Sequence, residues 1–211
     1  METYSTEEER LEALQRWWKE NKQSLFAGLV MGLVIIGGWK LWQNHQRTQN
    51  EEASWIYHQL TEANQKGAND ASQKLAERII KDYGSTTYSA YARLFLAKSK
   101  IDSNDLKGAQ QTLEEALKEA DDEEMENLTR LRLAKVLLAQ TGEATKALSI
   151  LDAVPAKKQG KFKGLYLEAR GNALSQLGRS AEARVAFEGA LHQGEPSPLL
   201  ELKINDIPVN N

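Results

Sequence analysis

The most prominent feature of the hydrophobic pattern is an apolar run near the N-terminus with tryptophans at both of its ends. No charged residue occurs from Gln23 to Trp39. At about 1.5 Å per helical residue, the stretch between Trp18 and Trp42 is long enough to cross a hydrocarbon core of about 30 Å. Indole rings favour membrane–water interfaces, so they mark where the apolar run meets the headgroups. The pattern predicts a transmembrane helix over residues 23–42.

Two other interpretations of this run are less consistent with the sequence. A cleaved secretory signal has a short basic leader, whereas more than twenty residues with several glutamates precede this run and no Ala-x-Ala-like site follows it. A buried core helix does not need tryptophans at both ends. We therefore expect an uncleaved anchor. Before it, Leu11, Leu14 and Trp18 would lie on one side of a helix, which predicts a cytoplasmic amphipathic segment over residues 1–22.

The distribution of basic residues predicts the orientation of this anchor. The lysines and arginines before the run are Arg10, Arg16, Lys19 and Lys22, and those shortly after it are Lys40 and Arg47. The cytoplasmic side of a membrane protein carries the excess of such residues. The N-terminus is therefore expected in the cytoplasm and residues 43–211 on the other side of the membrane, which is the periplasm if the cell is Gram-negative.

Small residues recur every four positions within the apolar run, at Ser24, Gly28 and Gly32. A stripe of this kind allows another transmembrane helix to approach closely. Glycine is also common in membrane helices that have no such partner. The three residues are candidates for transmembrane packing, against either a protein helix or lipid.

The remainder of the chain, residues 43–211, has helical rather than strand periodicity. Alanine, leucine, glutamate, lysine and glutamine are abundant, and proline is confined to four positions. Glycines at positions such as Gly67, Gly142 and Gly178 fall between the periodic segments, where helices end. The sequence therefore predicts an all-α domain built from short helices joined by tight turns.

Internal repetition defines the architecture of this domain. The clearest unit is GLYLEARGNALSQLGRSAEARVAFEGAL, in which Gly171 takes the small position of the first helix in the tetratricopeptide pattern and Phe187 lies in the second. Ala109, Ala147 and Ala183 recur at spacings of 38 and 36 residues, near the usual period of about 34. Clear repeats are predicted at about 89–120, 126–155 and 163–196, with an atypical pair before them and a short closing helix after them. The predicted fold is all-α: an N-terminal transmembrane helix followed by a tetratricopeptide-like α-solenoid.

The first helix of each repeat forms the inner face of such an array, and that face generally binds polypeptides. By repeat position, the candidate protein-binding residues are Tyr91, Leu94, Lys98, Ile101, Leu131, Lys135, Glu168 and Asn172. An apolar face with scattered polar residues suits unstructured or partly folded segments better than a small molecule. Apolar residues at helical spacing are commonly buried, so about half of the apolar positions are expected to belong to the core.

Other function classes find little support in the composition. A formal net charge of -3 lacks the basic excess expected of a nucleic-acid binder. Cysteine is absent, which excludes a thiol nucleophile and thiolate metal ligands. The histidines are isolated, and no HExxH, GxSxG or P-loop motif occurs. We therefore predict no catalytic site, metal or cofactor; a membrane-linked hydrolase is the alternative that this absence disfavours.

A family resemblance adds to this interpretation. The anchor RWWKENKQSLFAGLVMGLVIIGGWKLWQNHQ, the segment DYGSTTYSAYARLFLAK and three degenerate tetratricopeptide units together resemble the YfgM family, the ancillary subunits of the SecYEG translocon. The resemblance implies a single-pass inner-membrane protein whose periplasmic domain works beside SecYEG. It also implies association with the membrane-anchored prolyl-isomerase-like chaperone PpiD and assistance to exported, unfolded chains. The alternative is a repeat scaffold or assembly factor for another envelope complex, for example in cytochrome maturation.

Overall fold

The computed structural model describes residues 7–120, 122–193 and 198–208, and the regular elements within them are all helices. The α-helices are α1 (Glu7–Gln65), α2 (Asn69–Asp82), α3 (Thr87–Asp102), α4 (Leu106–Lys118), α5 (Glu123–Ala139), α6 (Ala144–Asp152), α7 (Lys163–Gln176), α8 (Ser180–Leu191) and α9 (Leu200–Asn205). Two short 3-10 turns, Ala156–Lys158 and Gly160–Phe162, connect α6 to α7. The predicted all-α class is confirmed.

The chain divides into two compact units, Met1–Gln49 and Asn50–Asn211. Helix α1 contributes residues to both units. The predicted limits of the cytoplasmic segment, anchor and repeat domain stay predictions, and residues 1–6 and the predicted repeat end at residue 196 lie outside the described residues.

In the first unit, α1 is apolar all round over the predicted anchor. Phe26, Val34, Ile35 and Ile36 point to different sides of the helix, and each leaves more than half of its surface exposed. This is the pattern of a helix that lipid rather than protein surrounds. Among the described residues, one helix is long and apolar enough to cross a membrane, and its most apolar window is not buried inside the protein. This finding is consistent with the predicted transmembrane helix.

In the second unit, three helix–turn–helix pairs follow one another: α3 with α4, α5 with α6, and α7 with α8. They correspond to the three predicted repeats. The small positions Ala109, Ala147 and Ala183 are completely buried, because small side chains allow the two helices of a pair to touch. Helix α2 packs through Ala76 and Ile79 against the last part of α1, so the first helix of the predicted atypical pair is the continuation of α1. The predicted closing helix is α9.

Three of the turns between helices share one backbone geometry. Gly67, Asn104 and Gly178 have φ values of 72°, 61° and 72°. In each turn, the N–H of this residue donates to the carbonyl three residues earlier, and the next N–H donates to the carbonyl five residues earlier. This is the Schellman arrangement that ends a helix. It favours glycine because the left-handed conformation brings a Cβ atom close to the backbone.

A buried hydrogen-bond chain joins the second repeat to the third. The hydroxyl of Tyr166 on α7 donates to Oδ1 of Asn127 on α5 at 2.8 Å, and Nδ2 of Asn127 donates to the carbonyl of Lys158 at 2.9 Å. Tyr166 and Asn127 are 2% and 4% exposed. Since buried polar groups cost stability unless they are paired, this chain fixes α5, α7 and the turn between α6 and α7 relative to one another.

Candidate protein-binding groove

Two adjoining pockets lie along the first helices of the three repeats. The α3–α5 pocket has a volume of about 280 Å³ and lies between α3 and α5, and residues of α4 also line it. The α5–α7 pocket has a volume of about 630 Å³ and also contacts the C-terminal segment. Both are lined by Lys135 and Ala139. The pockets are therefore continuous along α5, and we call them together the inner groove.

Most of the candidate binding residues lie in this groove. Leu94, Lys98 and Ile101 line the α3–α5 pocket. Glu168 and Asn172 line the α5–α7 pocket, and Lys135 lies between the two. Repeat position thus brought six of the eight candidates to one surface. That these six residues bind a polypeptide stays a prediction.

Leu131 does not belong to an accessible surface. It is 3% exposed and packs in a core cluster with Leu151 and Tyr166. Its position is dictated by α5, which is covered on several sides because it lies in the middle of the array. The neighbouring Arg132 lines the α3–α5 pocket instead. The sequence contains one signal for it, since Arg132, Lys135 and Ala139 follow the i, i+3, i+7 spacing of a single helix face.

Tyr91 lies outside both pockets and belongs to an aromatic cluster. It is 41% exposed, and its ring centroid lies 6.0 Å from that of Tyr57, which lies 5.6 Å from Tyr88. These separations fall in the range of favourable aromatic pairs. Burial, followed by the nearby Tyr91, raises the pKa of Tyr57. The cluster joins the last part of α1 to α3 and offers a partly exposed aromatic surface.

Of the three basic side chains that line the α3–α5 pocket, one forms an ion pair and two do not. Lys98 donates to Asp102 at 2.6 Å. Arg132 and Lys135 make no ion pair or hydrogen bond with any residue that the structure describes. The floor between them is apolar, since Leu94, Ala97, Leu113 and Val136 are almost completely buried. The pocket therefore combines an apolar floor with two unneutralised cations.

The α5–α7 pocket has a different character. Glu168 accepts from Lys203 of α9 at 2.7 Å, and the same ammonium lies 5.8 Å from the centre of the Phe187 ring. The guanidinium of Arg184 donates to the carbonyl of Ile207 at 3.0 Å. These contacts hold the C-terminal segment as one wall of the pocket. Sequence reasoning did not place this segment in the groove, because its contacts depend on how α9 folds back.

The transmembrane candidates Ser24, Gly28 and Gly32 have no neighbouring helix among the described residues. A Cβ atom at Gly28 or Gly32 would have nothing within 4 Å. The stripe is thus available for packing, and its role stays a prediction. Among the described residues, no group of three or more His, Asp or Glu side chains is arranged to hold a metal ion.

The paired helices and their groove define a helical repeat protein of the tetratricopeptide class. The family model for the tetratricopeptide repeat-like domain matches residues 15–209. Over 99% of its length, the chain is 32% identical to the ancillary SecYEG translocon subunit of Escherichia coli (strain K12), of which it covers 100%. It is 29% identical to the protein of the same name from Haemophilus influenzae, over 97% of this chain and 99% of that protein.

The chain belongs to the family of ancillary SecYEG translocon subunits, the YfgM family, which the sequence resemblance had indicated. A third relative with this name, from Aggregatibacter actinomycetemcomitans, is 27% identical over 97% of each chain. No solved structure matches the chain significantly. The relatives are named as ancillary translocon subunits rather than as enzymes, and the long apolar helix fits a membrane-anchored protein.

Proposed function

We propose that this protein is a membrane-anchored tetratricopeptide-like subunit that associates with the SecYEG translocon and binds polypeptides in its inner groove. The observation that carries the proposal is the extent of the match: a relative named as an ancillary SecYEG translocon subunit aligns over 99% of this chain. The match therefore includes both the apolar helix and the repeats. A protein that shares both parts has the means to be held at a membrane complex and to bind there.

The proposed orientation places the repeat unit in the periplasm. More lysines and arginines precede the apolar run than follow it closely, and this distribution favours a cytoplasmic N-terminus. Exported chains emerge on the periplasmic side of a translocon, so a groove on that side would meet them before they fold. The absence of cysteine is compatible with an oxidising compartment.

The proposed mechanism is tethered, weak binding. Anchoring a binding domain next to the site where its clients appear raises their effective concentration to about the millimolar range for short linkers. Contacts in the inner groove then need little intrinsic affinity. An apolar floor with a polar rim suits short unfolded segments, because they can insert side chains without presenting a large complementary surface.

Partners are proposed for two of the surfaces described above. The inner groove would bind unfolded exported chains or a periplasmic chaperone of the PpiD type. The stripe of Ser24, Gly28 and Gly32 would pack against a transmembrane helix of SecYEG or of that chaperone, since small residues allow close helix approach. The support for a PpiD-type partner is the family resemblance, and the support for the stripe is its open surface.

Photo-crosslinking in native membranes tests this function. A photoreactive phenylalanine analogue would replace Leu29 in the anchor or Tyr91 beside the groove, with Val185 as a control, because it is 68% exposed on the second helix of a repeat. We expect Leu29 to capture translocon or chaperone helices. Tyr91 should capture exported chains or a periplasmic chaperone, and Val185 should capture neither. Adducts confined to an unrelated envelope complex, such as one for cytochrome maturation, would contradict the proposal.

A further inference from the structure

We propose that the α3–α5 pocket selects extended polypeptide segments in which aspartate or glutamate alternates with apolar residues. This inference rests on the proposed function, since it requires that the groove bind polypeptides, and it adds the chemistry of the segment. Arg132 and Lys135 would hold the carboxylates. The apolar floor of the pocket would take the neighbouring side chains.

The first line of support is charge. Lys98, Arg132 and Lys135 line the pocket, and no acidic residue does. Lys98 is neutralised by Asp102 at 2.6 Å, whereas Arg132 and Lys135 contact no carboxylate among the described residues. Two cations beside an apolar surface with no counterion create a local positive potential in a chain whose net charge is -3. A ligand of opposite charge complements this potential.

Of the six other arginines in the second unit, five are paired with carboxylates of the described residues, and Arg184 donates to a backbone carbonyl. Arg93 contacts Glu119 at 2.5 Å, Arg130 contacts Glu126 at 2.5 Å, and Arg170 contacts Asp152 at 2.9 Å. The fold thus supplies carboxylates to arginines that serve its own packing. Arg132 differs from them because its side chain points into a pocket without such a partner.

The second line of support is geometry. Arg132 and Lys135 are three residues apart on α5, so their side chains emerge from one helix face about 5–6 Å apart at Cβ. A guanidinium binds a carboxylate through two parallel hydrogen bonds, and an ammonium acts as a point charge. In an extended segment, alternate side chains point to opposite sides. One side of the segment would face the cations of α5, and the other would face the exposed Ile101 of α3, with the buried Leu94 in the floor beside it.

The adjoining α5–α7 pocket provides an internal contrast. Its lysine from α9, Lys203, is already paired with Glu168 at 2.7 Å, and Asp206 also lines it. This pocket has no comparable excess of positive charge. Selectivity for carboxylates is therefore assigned to the α3–α5 pocket and to the two cations of α5.

The test uses the full chain in phosphatidylcholine nanodiscs and two fluorescein-labelled peptides, one with alternating leucine and aspartate and one with asparagine in place of each aspartate. Fluorescence anisotropy should show that the aspartate peptide binds about tenfold more tightly. R132Q and K135Q should each weaken its binding by about twofold to fivefold and leave the asparagine peptide unchanged. K135R should retain the preference, and added salt should reduce it.

The control variant is K157Q, which removes an exposed lysine in the turn between α6 and α7 and changes the net charge equally. It should bind both peptides as the wild type does. If the wild type binds the two peptides equally well, the carboxylate preference is overturned. If Ile101→Asp then abolishes the binding of both peptides, binding in the groove still stands. Binding of neither peptide, with the Tyr91 crosslinks retained, would also overturn it while the proposed function stands. If R132Q and K135Q weaken binding to phosphatidylglycerol vesicles but not binding to the peptides, the two cations contact a lipid surface and the inference is overturned.

Discussion

The ring of Phe187 in α8 lies directly against the backbone of Gly171 in α7. A Cβ atom at position 171 would be 2.5 Å from both Cδ1 and Cε1 of this ring. Phe187 is 2% exposed and Gly171 is buried, so neither can move away without opening the core. The absence of a side chain at Gly171 is what allows the two helices of the third repeat to approach.

The variant G171A is therefore expected to destabilise the repeat unit by about 1–2 kcal/mol. Overpacking a core costs about 1–3 kcal/mol, and the gain in helix propensity offsets up to about 1 kcal/mol of that cost. Urea unfolding of the full chain in detergent, followed by circular dichroism, measures the change. The control is G189A in α8, where the new Cβ would lie 3.5 Å from Leu167 Cδ1, an ordinary contact. Equal effects of the two substitutions would contradict this account of the contact.

The Schellman turns predict opposite effects at two equivalent positions. G178A places a Cβ atom in a left-handed conformation and should lower stability by about 1 kcal/mol. N104G removes a side chain from the same conformation and should raise stability by a few tenths of a kcal/mol, up to about 0.5. The midpoints of urea unfolding for the two variants check this prediction. A stabilising G178A would show that the backbone of this turn is not strained.

The buried Tyr166 predicts a substitution effect that depends on pH. Y166F leaves Oδ1 of Asn127 without its donor, which should cost about 1–3 kcal/mol near neutral pH. Burial raises the pKa of Tyr166 to about 12, whereas an unfolded tyrosine titrates near about 10. The phenol therefore stabilises the fold fully below about pH 10, and this contribution is lost as the pH rises towards about 12.

The difference in unfolding free energy between wild type and Y166F should consequently shrink between about pH 10 and pH 12. Urea titrations at about pH 8 and about pH 11 measure it. Y88F is the matched control, because the hydroxyl of Tyr88 makes no hydrogen bond within the described residues. A wild-type advantage over Y166F that stays constant with pH would exclude a buried, neutral phenol.

The orientation of the anchor can be measured cleanly because the chain contains no cysteine. In intact spheroplasts, a membrane-impermeant maleimide should label a single cysteine at position 157 and leave one at position 12 unlabelled until lysis. Lys157 lies in the second unit and Glu12 in the first, and both are exposed. The opposite labelling pattern would place the repeats in the cytoplasm.

The repeats could be predicted because a small set of residues determines their packing. Ala109, Ala147 and Ala183 recur at nearly constant spacing and are all completely buried. Gly171 and Phe187 occupy adjoining positions for the same reason. Tight helix pairing requires small residues at fixed positions in each repeat, so the repeat period is visible in the sequence as regularly spaced alanines.

The accessible face of α5 could be predicted only in part: repeat position selected Lys135, which lines the groove, but also Leu131, which is buried. This helix buries Leu131, Leu133 and Val136 against different neighbours. A helix covered on several sides has no single apolar stripe, so its periodicity does not identify the side that borders a pocket. The exposure of Arg132 and the burial of Leu131 follow from how α3 and α7 flank α5, which is a tertiary property.

The wall that the C-terminal segment contributes to the α5–α7 pocket has a practical consequence for anyone labelling this protein. Ile207 and Pro208 line that pocket, so a fluorophore attached at either residue would lie in the groove. Such a label would block the surface whose ligands it was meant to report. An internal label on the 3-10 turn at Ala156–Lys158, outside both pockets, would leave the groove open.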